Sequence, residues 1–213
     1  MSAPIFFDIE TKPFADAQLA EAMPAFKAPS NIKDPAKIAA KIAEKEQAFK
    51  DKAALSPMSS TVLAVGLWCD DGVKTMLHGE DEPDLIRKTW ESLTDHGAFT
   101  RNVIGWNVKR FDFPFLIKRS WALGIKLPET ALENYRGRYF LNSHIIDMMD
   151  FFTMGAEQFA SLNSALQLLG LGSKIDTSGK LFYELYDENR ELAMEYLKRD
   201  ITAMVDLNKS FNL

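Results

Sequence analysis

The stretch PIFFDIETKPF, residues 4–14, places Asp8 and Glu10 one residue apart inside an apolar run. The run predicts a strand over residues 4–9, and because side chains alternate along a strand, both acids should project from the same face. Two neighbouring carboxylates in an apolar strand repel each other and are costly to remove from water. Taken alone, the pattern favours a strand end that leaves the core. A buried pair would need positive charge to compensate it.

Composition bounds the class of protein. The chain has 213 residues, 46% of them hydrophobic and 26% charged, which suits a globular protein with one large domain. Its single cysteine excludes an internal disulfide and a zinc site built on several thiolates. The amino terminus lacks the pattern of a signal peptide, and no apolar run approaches the ~20 residues of a membrane span. We therefore expect a cytoplasmic protein with no membrane contact.

The net charge of -5 restricts how the chain could meet nucleic acid. It argues against a protein that coats nucleic acid through bulk positive charge. It leaves room for an enzyme that grips a few phosphates with a local basic patch, and it fits a site crowded with acids that divalent cations complete.

Hydrophobic periodicity predicts strands first and helices interleaved later. Further strands are predicted over 61–69, 73–79 and 102–106, with a hairpin turn at 70–72. Helices are predicted over about 35–54, 82–95, 112–124, 161–169, 181–186 and 189–211. Asp34 followed by Pro35 is typical of a helix start. We predict an α/β fold, a mixed sheet flanked by helices, in a single domain over 1–213 with a helical insert at about 15–55.

A third acid, Asp112, lies in GWNVKRFDFPFL after a short predicted strand. One interpretation is a helix N-cap, whose carboxylate accepts hydrogen bonds from exposed backbone N–H groups. The other is a side chain that points back over the sheet. The local sequence favours the two about equally.

Tyr196 and Asp200, in MEYLKRDITAMVDL, stand four residues apart and should share one face of a helix. Leu192, Met204 and Leu207 continue an apolar stripe near them at helical spacing, which predicts that both polar residues lie near the buried side. A buried Asp is rare unless it is paired or binds a metal. Four acids converging on one cleft can hold two divalent cations about 3.5–4 Å apart, and hard oxygen ligands favour Mg²⁺ or Mn²⁺.

Three motifs in this order, FFDIET, IGWNVKRFDFPFL and YLKRD, resemble those of the DEDD superfamily of 3'–5' exonucleases, which have a ribonuclease H-like fold. The tyrosine four residues before the last Asp resembles the motif of the DEDDy subgroup. The other subgroup has a histidine five residues before that Asp, and this chain has Glu195 there. The chain resembles the proofreading domains of family-B DNA polymerases and their free-standing bacterial and phage relatives. Residues 161–186 are also similar to the latter. The resemblance covers nearly the whole chain.

The resemblance implies roles for individual residues. It implies a set of four acids that holds two divalent cations: Asp8, Glu10, Asp112 and Asp200. It implies that Tyr196 orients the attacking water and that Thr11 and Asn107 help to hold the terminal nucleotide. Asp147 is expected to hold backbone groups, and Asp150 to be a surface residue or a cap.

Four lysines recur at a spacing of four residues: Lys33, Lys37, Lys41 and Lys45. On a helix they would form one basic stripe. The plainer interpretation is a solvated face, which nearby acids help to balance. The functional interpretation is a row of contacts to the phosphates of a single strand.

The function predicted from these observations is a metal-dependent 3'–5' exonuclease on single-stranded ends, most simply of DNA, with a polymerase or a replication or repair protein as a possible partner. One alternative is an exonuclease that trims RNA, a substrate that differs from DNA by its 2'-OH groups. Another is a catalytically silent nucleic-acid-binding module. The intact set of acids counts against it, because a silent domain has no need to keep like charges together. A phosphatase with Asp8 as nucleophile is disfavoured because position 10 is not Asp.

Overall fold

The computed structural model describes most of the chain, namely residues 4–69, 72, 74–98, 101–129, 131, 144–155, 159–173 and 181–211. The predicted hairpin turn at Asp70 and Asp71 lies outside the described residues. By internal contacts the chain divides into two compact units, Met1–Glu10 with Val62–Leu213, and Thr11–Thr61. The second unit contains the predicted insert at 15–55, and the single-domain organisation stays a prediction.

A five-stranded sheet forms the centre of the fold, in the order β3-β2-β1-β4-β5. The strands are β1 (Ile5–Pro13), β2 (Ser60–Cys69), β3 (Lys74–His78), β4 (Val103–Gly105) and β5 (Ile145–Asp147). β1 pairs with β4 in parallel, β4 with β5 in parallel, and β2 with β3 antiparallel. The predicted α/β class with a mixed sheet is therefore confirmed, and β1 runs four residues beyond its predicted end.

All six predicted helices are present, and two short helices that were not predicted individually occur at Asp16–Ala22 and Met148–Phe152. The helices are α1 (Asp16–Ala22), α2 (Pro35–Asp51), α3 (Glu82–Asp95), α4 (Asp112–Ala122), α5 (Met148–Phe152), α6 (Leu162–Leu168), α7 (Phe182–Glu188) and α8 (Arg190–Phe211). Asp34 caps α2 as predicted, since its Oδ1 accepts from the backbone N–H groups of Ala36 (2.8 Å) and Lys37 (3.4 Å). No helix among the described residues is long and apolar enough to cross a membrane.

The two faces of β1 contribute to different cores. Ile5, Phe7 and Ile9 are buried in a cluster with side chains of α3 and α4. Phe6, on the opposite face, packs in a second cluster with Ile201 and other residues of α8. The alternation of β1 therefore turns Asp8 and Glu10 toward the α8 side of the sheet, on the face that carries Phe6.

The loop between β4 and α4 is shaped by Gly105, where the chain turns tightly against β1. A Cβ at this position would meet Val108 Cβ at 2.7 Å and the Phe7 carbonyl oxygen at 2.8 Å, so only glycine fits. Asn107 follows with φ of 62°, a left-handed conformation that Asn tolerates better than most residues.

Asp147 fixes this loop from the end of β5, as its predicted structural role required. Its Oδ1 accepts from the backbone N–H of Asn107 (2.9 Å) and of Met149 (3.1 Å), and its Oδ2 accepts from the N–H of Lys109 (3.1 Å). Burial raises the pKa of Asp147 above its ordinary value, although the backbone hydrogen bonds favour the charged form. Asp150, three residues on, instead forms a partly exposed ion pair with Arg110.

We predict that Asp147→Asn lowers the free energy of unfolding by about 1–3 kcal/mol, the usual cost of leaving a buried backbone group unpaired. The amide offers one acceptor oxygen, so one of the two loop N–H groups loses its partner. The matched control is Asp150→Asn, which removes one charge from an exposed ion pair and should change the unfolding free energy by less than about 1 kcal/mol. Thermal unfolding of both variants decides the point, and equal melting temperatures would contradict the role given to Asp147.

Candidate active site

Three carboxylates meet at the α8 side of β1. Asp8, Glu10 and Asp200 each offer one carboxylate oxygen, and these oxygens all lie within 4.8 Å of one another. Asp200 is buried, whereas Asp8 and Glu10 are half-buried. Like charges this close repel strongly in a partly dry environment. The spacing and the hard oxygen donors fit a divalent cation such as Mg²⁺ or Mn²⁺.

Asp112 approaches the same end of β1 from another direction. It is the first residue of α4, and its Oδ1 accepts from the backbone N–H of Ile9 at 2.9 Å. β4 pairs with β1 at Ile5 and Phe6. The N–H of Ile9 lies beyond these paired residues, and the Asp112 carboxylate accepts its hydrogen bond. Of the two interpretations of Asp112, the structure therefore supports the side chain that points over the sheet. Asp112 is not part of the three-acid cluster itself.

The electrostatics of Asp112 reflect the crowding of acids. Burial raises the pKa of Asp112 well above its ordinary value, and the negative charge of Asp8 raises it further. Because the folded-state pKa is raised, the stability that this group contributes is complete at pH below its unfolded pKa. That stability is lost as the pH rises through the raised pKa. At pH above the raised pKa, the ionised carboxylate of Asp112 therefore lowers the stability of the metal-free fold.

The buried face of α8 explains how Asp200 reaches the sheet. The buried residues of α8 recur at helical spacing: Ala193, Leu197, Asp200, Ile201, Met204 and Leu207. Asp200 thus shares a face with apolar side chains that pack on the sheet. The predicted apolar stripe is wrong at Leu192, which is 42% exposed, because the buried face passes through Ala193 instead.

Tyr196 lies one turn before Asp200 on α8 and is half-buried. It packs against a cluster formed by residues of β2, α7 and α8, and its ring centroid lies 6.3 Å from that of Phe182. The sequence did not identify Phe182 as support for this tyrosine. The available signal was the four-residue spacing of Phe182 and Tyr186 in LFYELY, because that spacing places both residues on one face of a short helix.

Two residues predicted to contact the terminal nucleotide have defined surroundings. Asn107 is held in the loop before α4 by Asp147. Thr11 belongs to the Thr11–Thr61 unit, and its hydroxyl donates to the Ala54 carbonyl oxygen at 2.6 Å. Their contacts with a nucleotide stay predictions.

The four lysines do not form the uniform helical stripe that was predicted. Lys33 precedes α2, which begins at Pro35, so it lies outside the helix. Lys41 pairs with Glu44 on the next turn, and Lys45 donates to the Lys27 carbonyl oxygen at 2.8 Å. Lys33 and Lys37 are exposed. The spacing of four residues lies on the helix for residues 37–45, whereas Lys33 precedes the helix start that the sequence predicted at Asp34 and Pro35.

Comparisons with known proteins identify the family to which this chain is similar. Residues 61–204 match the model of a family described as "Predicted 3'-5' exonuclease related to the exonuclease domain of PolB". A DNA polymerase 2 from Aeropyrum pernix is 26% identical over 172 residues, which are 73% of this chain and 21% of that protein. The chain thus spans about a fifth of that relative's length.

The fold has a counterpart among solved structures. The family B DNA polymerase from the hyperthermophilic archaeon Pyrobaculum calidifontis superimposes with a TM-score of 0.66 at 16% identity, over 99% of this chain and 24% of that one. At that identity the likeness establishes the ribonuclease H-like fold and no more. The family model matches more than half of the residues of this chain, so the chain belongs to the family of predicted 3'–5' exonucleases related to the exonuclease domain of PolB.

Proposed function

We propose that the protein is a metal-dependent 3'–5' exonuclease that removes nucleotides from single-stranded DNA ends. The observation that carries the proposal is the cluster of Asp8, Glu10 and Asp200, with Asp112 at the same strand end. Membership of the exonuclease family supports the reaction type, and the acidic cluster supports the need for divalent cations. A polymerase or another replication or repair protein is the partner that this chemistry suggests.

The acids would hold two cations, Mg²⁺ or Mn²⁺, through Asp8, Glu10 and Asp200, with Asp112 completing the set. When bound, the cations would supply positive charge to lower the pKa of the attacking water and to stabilise the leaving 3'-oxygen. The chain's own part is to keep these carboxylates fixed. Asp112 is fixed by the Ile9 N–H, and the face of α8 that packs on the sheet fixes Asp200.

Tyr196 would orient the attacking water through its hydroxyl. Its place on α8, one turn from Asp200, puts the phenol on the helix that brings an acid to the cluster. The packing of its ring near Phe182 restricts the directions in which the hydroxyl can point. Asn107, in its fixed loop, and Thr11 would hold the terminal nucleotide.

We predict that Mg²⁺ or Mn²⁺ is required for activity and stabilises the fold by about 2.7 kcal/mol at a metal concentration 100 times the dissociation constant. Asp200→Asn should abolish both the activity and the metal-dependent rise in melting temperature. Its metal-free stability should hold or rise, because one of the repelling charges is gone. Differential scanning calorimetry with and without metal measures the metal-free stability and the metal-dependent rise in melting temperature. Degradation of end-labelled DNA measures the activity.

The matched control for this variant is Asp206→Asn, on the same helix but exposed and paired with Lys209. It should respond to metal and degrade DNA as the wild type does. Full activity of the wild type in EDTA would refute the proposed function.

We predict that Tyr196→Phe lowers the rate constant of hydrolysis about 10²-fold, the scale of losing one positioned polar group. The ring and its packing remain, so thermal stability should change little. Tyr186→Phe is the control, because it removes another tyrosine hydroxyl of the same cluster, one that bonds His78 Nδ1 at 2.9 Å. In single-turnover experiments, hydrolysis should be slow for Tyr196→Phe and as fast as in the wild type for Tyr186→Phe. Wild-type turnover of Tyr196→Phe would mean that the tyrosine only packs.

An RNA-trimming exonuclease is a second candidate, since the cluster of acids suits either phosphodiester. End-labelled DNA and RNA of the same sequence, incubated side by side with Mn²⁺, separate the two. Faster degradation of the RNA would overturn the assignment to DNA while leaving the reaction type intact.

A further inference from the structure

A groove of about 580 Å³ lies within the Thr11–Thr61 unit and combines aromatic and basic side chains. Its lining includes Phe26, Phe49, Lys45 and Lys52, together with Ser56 and Ser59. Lys45 and Phe49 are four residues apart and share one side of α2, and Lys52 directly follows the helix. The sequence had indicated Lys45 alone among these residues.

The aromatic side chains of the groove leave part of their rings accessible. Phe26 and Phe49 are both half-buried, with ring centroids 6.2 Å apart and planes at 62°. This edge-to-face pair holds the rings in fixed relative positions. Partly buried aromatic rings that line an open groove are side chains of the kind on which unpaired bases stack, whatever the base.

The basic side chains flank these rings without acids among the groove's lining residues, in a unit that the structure describes completely. The ammonium of Lys45 donates to the Lys27 carbonyl oxygen, which fixes its position, and an ammonium has further N–H donors for a phosphate. Lys52 is exposed at the end of the helix. Among the acids of α2, Glu44 pairs with Lys41, and Asp51 accepts a hydrogen bond from the side chain of Gln47.

The distribution of charge along the chain favours an anionic ligand for this unit. Residues 11–61 contain eight lysines, no arginine and six acids, whereas the rest of the chain has 17 basic residues and 24 acids. The unit is therefore positive in an otherwise negative protein. A polyanion that the acidic cluster would repel is attracted to this surface.

We propose that the groove binds single-stranded nucleic acid, with bases stacked on Phe26 and Phe49 and phosphates held by Lys45 and Lys52. The inference rests on the proposed nuclease function, because the strand that the groove binds would be the substrate of the nuclease. An apolar polypeptide would fill the same volume, but it offers no anionic group for the two lysines.

The test is affinity for an oligothymidine longer than the ~4–16 nucleotides that one binding module covers, measured by fluorescence anisotropy in EDTA over a salt series. The full chain is used, and EDTA prevents hydrolysis. The expected result is that Lys45→Gln with Lys52→Gln weakens binding and flattens the slope of log K against log salt by about 1.4, or 0.7 for each phosphate that the variant no longer neutralises. Phe49→Leu should weaken binding about tenfold with an unchanged slope, since stacking releases no counterions.

Matched variants separate the groove from general charge and from misfolding. Lys33→Gln with Lys37→Gln makes the same change in net charge at exposed positions outside the groove lining, and it should weaken binding less. Phe49→Tyr keeps an aromatic ring and should bind as the wild type does, which shows that the Phe49→Leu effect is not loss of fold. Double-stranded DNA, whose bases are already stacked, should compete poorly.

Equal losses for the two lysine pairs, or no loss for Phe49→Leu, would overturn the groove assignment. Binding of an apolar peptide in place of oligothymidine would overturn it in favour of a protein partner. None of these outcomes touches the nuclease proposal, which is tested separately by hydrolysis with Mn²⁺. A wild type that binds the strand in EDTA but never cleaves it would instead refute the nuclease and leave the groove standing.

Discussion

Repulsion among carboxylates at one end of β1 is the constraint on which the site depends. Asp8, Glu10 and Asp200 bring oxygens within 4.8 Å of one another, and the pKa of Asp112 is raised well above its ordinary value, by burial and by the charge of Asp8. A chain under selection for stability alone has no reason to gather these charges where water is partly excluded. Divalent cations would remove the repulsion, so the arrangement that brings like charges together in the metal-free protein would be stabilised by a bound metal.

The fold supplies the rigidity that such a cluster needs. The alternation of β1 sends Phe7 and Ile9 into one core and turns Asp8 and Glu10 to the other side, where α8 presents Asp200 from a face of buried apolar residues. Asp112 is fixed by a backbone N–H of β1, and Asp147 holds the loop that leads to it through the N–H groups of Asn107 and Lys109. The acids thus rest on strands and helix ends whose positions are set by packing, which is how a site keeps its geometry while its members repel.

The sequence was sufficient to predict which site residues share a face wherever their spacing matches the short period of a strand or a helix. The two-residue spacing of Asp8 and Glu10 and the four-residue spacing of Tyr196 and Asp200 each placed a pair on one face, as the structure does. The sequence could not choose between two positions for Asp112, because the choice depends on how far β4 pairs with β1. It misplaced Leu192 because the exact rotation of a helix depends on tertiary packing. It included Lys33 in the helical stripe on spacing alone, although Asp34 and Pro35 already predicted that the helix begins after that residue. It also missed the groove at Phe26 and Phe49, since those residues are far apart in the chain.

Anomalous diffraction from crystals soaked in Mn²⁺ tests the central claim most directly, because it locates the cations without relying on activity. The account predicts strong peaks between the carboxylates of Asp8, Glu10 and Asp200, and loss of those peaks in crystals of the Asp200→Asn protein. Peaks confined to surface acids, with none at the end of β1 in the wild type, would contradict it.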